Sequence, residues 1–330
     1  MSLISAPIRR NSYMLMLVAA AVFGLLIPGP GSKQGFLHLD IVTQIGVMLV
    51  FFLHGANLSR KNLKQGMTNW RLHIFVQAAT YLLFPLIGAL ILLLGRGHVP
   101  ADILFGVFYL CALPSTITSS VAMTALARGN LGGAIFNATL SGLIGMLITP
   151  VLVSLAMNTT GHSLPLLPSI LSVLLTLLLP FAAGHILQPL LIPFLTRHKM
   201  VVNLLDRNVI VLIVYASFCE SSLAGVWSSY PVPSLLLLFV ITALLLMMVL
   251  LVTTQLARRF GFSTEDEIAA VFCGSKKSLA NGMPMANILL AGHPGLGVLV
   301  LPMMIYHQMQ LVVCSALAQR YAARLEKPHQ

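Results

Sequence analysis

Residues 273–282 read CGSKKSLANG, and they interrupt an apolar stretch that runs from about 267 to 292. The interruption puts Lys276 and Lys277 at a depth where a charged side chain is costly unless it has partners or water. Its glycines and the following Pro284 predict an unwound helix, and irregular backbone inside a membrane must be buried or line a cavity. The stretch therefore predicts a polar binding site within a membrane domain.

The composition assigns the whole chain to the polytopic membrane proteins. Of its 330 residues, 58% are hydrophobic and only 8% are charged, and the mean hydropathy is +0.93. No polar stretch is long enough to fold as a soluble domain, so we expect a single membrane domain over 1–330. The formal charge of +11 is spread in short clusters between apolar stretches, which excludes nucleic acid as a partner. The basic residues instead indicate which loops between the spans face the cytoplasm. The expected partners are membrane lipid and a small solute, and the sequence leaves the oligomeric state open.

Ten apolar runs are each long enough to cross a hydrocarbon core. They lie at 12–28, 39–56, 72–94, 102–127, 131–157, 165–187, 204–226, 232–257, 265–291 and 295–319. With the N-terminus inside, most basic residues fall on the cytoplasmic side, including Arg60 and Arg258, as the positive-inside rule requires. The sequence therefore predicts a multi-pass protein of the cell (inner, cytoplasmic) membrane with both termini in the cytoplasm.

Ten spans divide into two halves of five, and an odd number per half makes the second half insert upside down. We therefore expect an all-α fold of two inverted repeats, 1–157 and 158–330. Transporters built this way place their sites where broken helices meet near the midplane. The fourth and ninth spans correspond, and Pro114 predicts a break in the fourth because proline removes a backbone donor and clashes with the preceding turn. We expect the polar run at 114–120 to face the interruption in the ninth span.

Five stretches carry a family resemblance. They are LCALP at 110–114, ALARGN at 125–130, FFLHGANLS at 51–59, FPLIG at 84–88 and FCGSKKSL at 272–279. In these stretches the chain resembles the bile acid:sodium symporter family, in its member-seven-like bacterial branch. The resemblance implies a panel domain of spans one, two, six and seven and a core domain of the remaining spans, with helices four and nine crossing in the core. It also implies symport of sodium and a small organic anion by alternating access.

The family binds sodium with residues after the fourth-helix break, on the fifth helix, and with a glutamate and a glutamine in the ninth. The resemblance carries the first two groups over to Ser119, Ser120, Asn137, Thr139 and Ser141, and it implies sodium at the first four of these. The ninth helix departs from the pattern, because GSKK at 274–277 stands where the family has its acidic residue and glutamine. Ser275 and Asn281 are the oxygen donors that we predict in this stretch. Apart from Na⁺ as the coupling ion, no cofactor is expected.

Three roles for the lysines remain open at this point. The ammonium of Lys276 or Lys277 occupies a cation position, permanently or by exchanging its proton for a cation. Alternatively, one lysine is the counter-charge for an anionic substrate. In the third interpretation both lysines extend from a loop outside the membrane.

Three further polar side chains are candidate ligands. Glu220 is a carboxylate inside the seventh span, where it would take up a proton, attract a cation or pair with a lysine, or else be hydrated near the surface. Gln77 and Thr80 precede Pro85 on the third span, and either is a candidate for a second cation site. Thr80 matches the spacing of the family glutamine to that proline better than Gln77 does.

Two polar stretches have a predicted structural role. His307 and Gln310 lie on one face of the tenth span and are expected to pack against the fifth. The sequence STEDE at 263–267 predicts a helix N-cap followed by acidic residues that complement the helix dipole.

The chain lacks the motifs of membrane-embedded enzymes, such as H-E-x-x-H, G-x-S-x-G and paired intramembrane aspartates. It also lacks an ATP-binding motif, so an ion or substrate gradient must supply the energy. We therefore predict a secondary active transporter of an organic anion, coupled to sodium or protons, and not an enzyme. The alternative that the resemblance permits is a non-transporting or partner-dependent regulator of calcium homeostasis.

Overall fold

The computed structural model describes residues 5–32, 34–58, 68–159, 166–230 and 232–324, and within them every regular element is helical. The α-helices are α1 (Ser5–Leu26), α2 (Leu39–Ala56), α3 (Trp70–Ala78), α4 (Phe84–Leu94), α5 (Ala101–Ala112), α6 (Ile117–Leu126), α7 (Leu131–Thr159), α8 (Leu166–Val173), α9 (Leu179–Arg197), α10 (Lys199–Leu223), α11 (Val232–Arg259), α12 (Thr264–Ser275), α13 (Leu279–Leu289) and α14 (Leu296–Arg324). The all-α prediction is confirmed for this part of the chain.

Several helices are long and apolar enough to cross a membrane. The described residues contain 7 such helices, or up to 8 with α5 and α6 counted as one span bent by 60°. The apolar part of α1, Leu15–Leu26, is shorter. The ninth predicted span is divided into α12 and α13, of 12 and 11 residues. The chain is thus a multi-pass membrane protein. Arg60, which was predicted to lie on the cytoplasmic side, is outside the described residues. The two ends of the chain, 1–4 and 325–330, are outside them as well.

Two short π-helical segments interrupt long spans, and each is followed by a proline. Residues Ala79–Leu83 join α3 to α4, and Leu174–Leu178 join α8 to α9. Pro85 and Pro180 follow these segments and have no N–H to donate to the preceding turn. A wider turn accommodates that missing donor and leaves a backbone carbonyl available to a side chain.

The chain forms two compact units. Unit 1 comprises Met1–Leu58, Leu171–Tyr230 and Met283–Val298, and unit 2 comprises Ser59–Ile170, Pro231–Gly282 and Leu299–Gln330. Each unit therefore combines segments from both halves of the sequence. The inverted repeats at 1–157 and 158–330 stay a prediction.

In unit 1, α2 and α9 pack with their backbones in direct contact. A Cβ atom at Gly55 would collide with the carbonyl of Phe181, and one at Gly184 would collide with the carbonyl of Phe52. Small residues permit this approach between membrane helices, where van der Waals packing replaces the hydrophobic effect. The two glycines therefore fix the crossing of α2 and α9.

Candidate functional site

The break in the fourth span lies in unit 2, at the residues between α5 and α6. Proline at position 114 cannot continue α5, which ends at an extended Leu113. The freed N–H of Ser115 donates to Ser141 Oγ at 3.0 Å, and the Ser115 hydroxyl donates to the carbonyl of Cys273 at 2.6 Å. The break is thus held by α7 on one side and by α12 on the other.

The break in the ninth span lies against the first one. Lys276 is extended after α12, and the N–H of Ser278 donates to the carbonyl of Pro114 at 2.9 Å. Gln310 supplies both partners of the Lys277 backbone, because its Oε1 accepts from the Lys277 N–H and its Nε2 donates to the Lys277 carbonyl, each at 2.9 Å. We predicted that Gln310 packs against the fifth span, and its observed role is to hold the unwound segment.

The Lys277 side chain is fully enclosed by backbone carbonyls. Its Nζ donates to the carbonyls of Thr80 at 3.0 Å, Cys111 at 2.9 Å and Leu113 at 2.6 Å. The side chain is 1% exposed, and Nζ lies 4.0 Å from the centre of the Phe84 ring. All three ammonium protons therefore have acceptors, and an aromatic face adds a favourable cation–π contact.

These carbonyls are available because of the local backbone. Thr80 lies in the π segment, where the N–H of Phe84 donates to Ala79 and Pro85 has no N–H to offer Thr80. Cys111 and Leu113 lie at the C-terminal end of α5, where the last carbonyls have no partner within the helix and carry the negative end of its dipole. Three carbonyls released by two helix irregularities therefore surround the Lys277 ammonium.

Lys276 is buried but has fewer partners. Its Nζ donates to the carbonyl of Ser119 in the first turn of α6 at 2.8 Å and lies 5.4 Å from the centre of the Phe272 ring. The residue is 0% exposed. An ammonium can donate three hydrogen bonds, so Lys276 keeps donor capacity beyond its one hydrogen bond to Ser119. The two lysines thus have different partners, and neither extends from an exposed loop.

The predicted hydroxyl ligands lie around this crossing, and most are engaged in hydrogen bonds. Ser120 Oγ donates to Phe272 O at 3.0 Å, Ser275 Oγ to Val271 O at 2.6 Å, Thr80 Oγ1 to Val76 O at 2.8 Å, and Ser119 Oγ lies 3.5 Å from Thr116 Oγ1. Thr139 and Asn281 are buried in the same unit. Thr80 therefore faces Lys277 with its backbone carbonyl, whereas its hydroxyl is bound to its own helix.

A row of polar side chains joins α3 and the π segment that follows it to α7. Gln77 Nε2 donates to the carbonyl and to Oδ1 of Asn137 at 3.2 and 3.4 Å. One turn further along, the Tyr81 hydroxyl donates to the carbonyl of Ser141. Gln77 Oε1 is buried and has no hydrogen-bond partner among the residues that the structure describes. Tyr81 was not among the predicted residues, although its spacing of four from Gln77 puts both on one helical face.

Glu220 lies in the other unit. It is on α10 in unit 1 and lines a cavity of about 680 Å³ together with Asp40 and His293. Of the predicted ligands, hydrogen bonds join Ser119 to Lys276 and Thr80 to Lys277, and Glu220 lines the cavity of unit 1.

A single carboxylate joins the ends of three helices that carry the candidate ligands. Asp266 accepts from Asn69 Nδ2 at 2.6 Å and from Asn130 Nδ2 at 2.7 Å. Asn69 caps α3 through Leu72 at 3.2 Å, and Asn130 accepts from Gly133 in the first turn of α7 at 2.8 Å. The predicted N-cap at Ser263 is confirmed. Asp266 also has a tertiary role that the sequence did not reveal.

This junction predicts the outcome of a residue swap. In Asp266→Asn, one of the two oxygens that accept from Asn69 and Asn130 becomes an NH2 group. That NH2 group then faces the Nδ2 donor of one of the two asparagines. Asp266, Asn69 and Asn130 are half-buried, so we expect a loss of stability of about 1 kcal/mol, the lower end of the penalty for an unsatisfied group. Adding Asn69→Asp restores one acceptor per donor and keeps the α3 cap, so the double variant should regain most of the thermal stability lost by the single one. Equal melting temperatures for the single and double variants would contradict this account of Asp266.

Comparisons with known proteins identify a family of membrane transporters. The sequence pattern of the SBF-like CPA transporter family matches residues 11–323. An uncharacterized protein of Pseudomonas aeruginosa is 44% identical over 95% of this chain and 93% of its own length. The Escherichia coli protein named Putative symporter YfeH is 39% identical, over 96% and 94%. The rat protein named sodium/bile acid cotransporter 7 is 30% identical, over 94% and 92%.

Proposed function

The chain belongs to the SBF-like CPA transporter family, and from that premise we propose that it is a secondary active symporter of a small organic anion, coupled to sodium or protons. We further propose ten spans in two inverted repeats, in the cytoplasmic membrane with both termini inside. Alternating access would expose the crossing of the two broken spans to each side in turn.

The observation that carries the proposal is the position of Lys277. Its ammonium has three backbone carbonyls within 3.0 Å at two helix irregularities, the kind of oxygen set that coordinates cations in broken-helix transporters. In our proposal the ammonium takes one cation position of the site, in place of a free ion. In the family, the acidic residue of the ninth helix helps to bind a free sodium ion. Here the Lys277 ammonium would replace that ion, so no carboxylate is needed to bind it.

Lys276 has the complementary role in our proposal. It lies beside the first turn of α6, and α13 begins only three residues after it in the chain. Helix N-termini carry partial positive charge and attract anions. A carboxylate of the substrate would accept from the remaining protons of Lys276, so that one lysine serves the cation position and the other serves the anion.

A second cation position is proposed for the coupling sodium at Ser119, Ser120, Asn137 and Thr139. Support comes from the family resemblance and from the oxygens near Asn137. Its Oδ1 lies 3.4 Å from Gln77 Nε2, and Gln77 Oε1 is buried without a partner. An unsatisfied buried acceptor costs free energy, and a cation would recover that cost.

Uptake by proteoliposomes tests the proposed function. The purified chain is reconstituted, and uptake of labelled cholate, a steroid carboxylate, and pyruvate, a keto acid, is followed under a sodium gradient, a pH gradient or neither. We expect one of these anions to accumulate with one of the two gradients. Folded protein that accumulates neither anion under any gradient would contradict anion symport and favour the regulatory role.

A further inference from the structure

A long apolar groove runs along the outer face of unit 2, between the third and eighth spans. Its volume is about 540 Å³, and it is lined by side chains from α3, the π segment, α4 and α11, including Ile74, Leu82, Leu86 and Leu256. Ile74, Leu82 and Leu86 are each about 60% exposed. An exposed apolar groove along membrane-spanning helices is complementary to an acyl chain.

The groove has a polar, cationic end. Trp70 is the first residue of α3 and is 65% exposed, which is the interfacial position that tryptophan prefers. The neighbouring Arg71 also lines the groove. Its Nη2 donates to the carbonyl of Phe260 at 2.9 Å, and its guanidinium lies 5.9 Å from the centre of the Phe262 ring. These two contacts orient the guanidinium at the mouth of the groove.

Arg71 retains most of its hydrogen-bonding capacity. A guanidinium has five N–H donors in a planar fork that suits a phosphate group, and one of them is used by Phe260. The side chain is exposed. A fixed cation with free donors at the interface, joined to an apolar channel that continues into the membrane, is complementary to an anionic lipid.

We propose that this groove is a binding site for an anionic phospholipid, with the phosphate on Arg71 and one acyl chain along the groove. Basic sites between membrane helices are known to select lipids by headgroup charge. Ala79, Leu82 and Leu83 of the π segment form part of the wall, so the bound chain packs on the same segment whose Thr80 carbonyl accepts from Lys277. The lipid would therefore stabilise the backbone irregularity that serves the transport site.

Native mass spectrometry of the full detergent-purified chain tests the proposal without any transport assay. The protein is titrated with an equimolar mixture of phosphatidylglycerol and phosphatidylcholine of the same acyl chains. Both lipids offer the phosphate, but the trimethylammonium group of phosphatidylcholine offsets its charge beside Arg71. We therefore expect about five-fold preference for phosphatidylglycerol. Arg71→Gln should remove that preference, and Ala78→Trp, which fills the groove, should weaken binding of both lipids.

Two matched variants control for charge and bulk. Arg320→Gln removes an exposed arginine of α14, and Ala89→Trp adds the same bulk to an exposed position of α4 that does not line the groove. Both should bind phosphatidylglycerol as the wild type does. Equal binding of the two lipids by the wild type would overturn the proposal. An equal loss in Arg71→Gln and Arg320→Gln, or unchanged binding in Ala78→Trp, would also overturn it.

Discussion

Lys277→Met is expected to abolish transport and to lower the free energy of unfolding by about 3 kcal/mol. The substitution keeps an apolar chain of similar length but removes the three donors that satisfy Thr80, Cys111 and Leu113. Each buried carbonyl left without a partner costs about 1–3 kcal/mol, and local rearrangement recovers part of the sum. Uptake by proteoliposomes and thermal unfolding of the purified variant measure the two effects.

Thr80→Val is the control for this prediction. It removes the Thr80 hydroxyl, which is bound to Val76, and it keeps the carbonyl that accepts from Lys277. We expect the Thr80→Val protein to transport at close to the wild-type rate. Near-normal uptake by Lys277→Met, or loss of uptake in Thr80→Val with unchanged stability, would contradict the role assigned to the carbonyls.

Lys276→Gln is expected to lose transport without losing stability. Within the described residues the Lys276 side chain makes one hydrogen bond, to the carbonyl of Ser119, and the amide of glutamine keeps a donor. Removing the charge that faces a substrate carboxylate costs about 2–5 kcal/mol of binding, so affinity should fall at least about thirty-fold. The apparent KM for uptake measures the change, and the melting temperature should stay within a few degrees of the wild type.

Lys276→Arg separates charge from geometry in the same assay. Arginine keeps the cation, so this variant should retain substrate binding better than Lys276→Gln does. An unchanged KM in Lys276→Gln would contradict the assignment of Lys276 to the anion. A large loss of stability in that variant would show that Lys276 is structural instead.

Both helix breaks were predictable from the sequence, because their causes are local. Proline at 114 removes a backbone donor from its own helix. In the ninth span, two lysines interrupt the apolar residues and the neighbouring glycines favour an unwound backbone. These features indicated which residues would meet, and the structure joins Pro114 to Ser278. The hydrogen bonds of Lys277 could not be predicted in the same way. Its acceptors are backbone carbonyls, and every residue has one.

The remaining parts of the site depend on tertiary contacts that sequence spacing does not reveal. Gln310 lies 33 residues from the backbone groups that it binds, and Asp266 lies 197 residues from Asn69. Pro85 indicates an irregular turn before it, and the π segment is that turn. The sequence does not show that the carbonyl released by this turn accepts from Lys277. Thr80 was therefore selected for its hydroxyl, whereas its carbonyl makes the contact.

Sodium-dependent thermal unfolding of Lys277→Ala, compared with the wild type and Lys277→Met, tests the central claim that Lys277 occupies a cation position. Alanine vacates the space among the three carbonyls, whereas methionine fills it. Matched sodium and choline solutions should reveal a sodium shift in Lys277→Ala about 5 °C larger than in the other two proteins, the size expected for an ion well above its dissociation constant. The same sodium shift in all three proteins would contradict the claim.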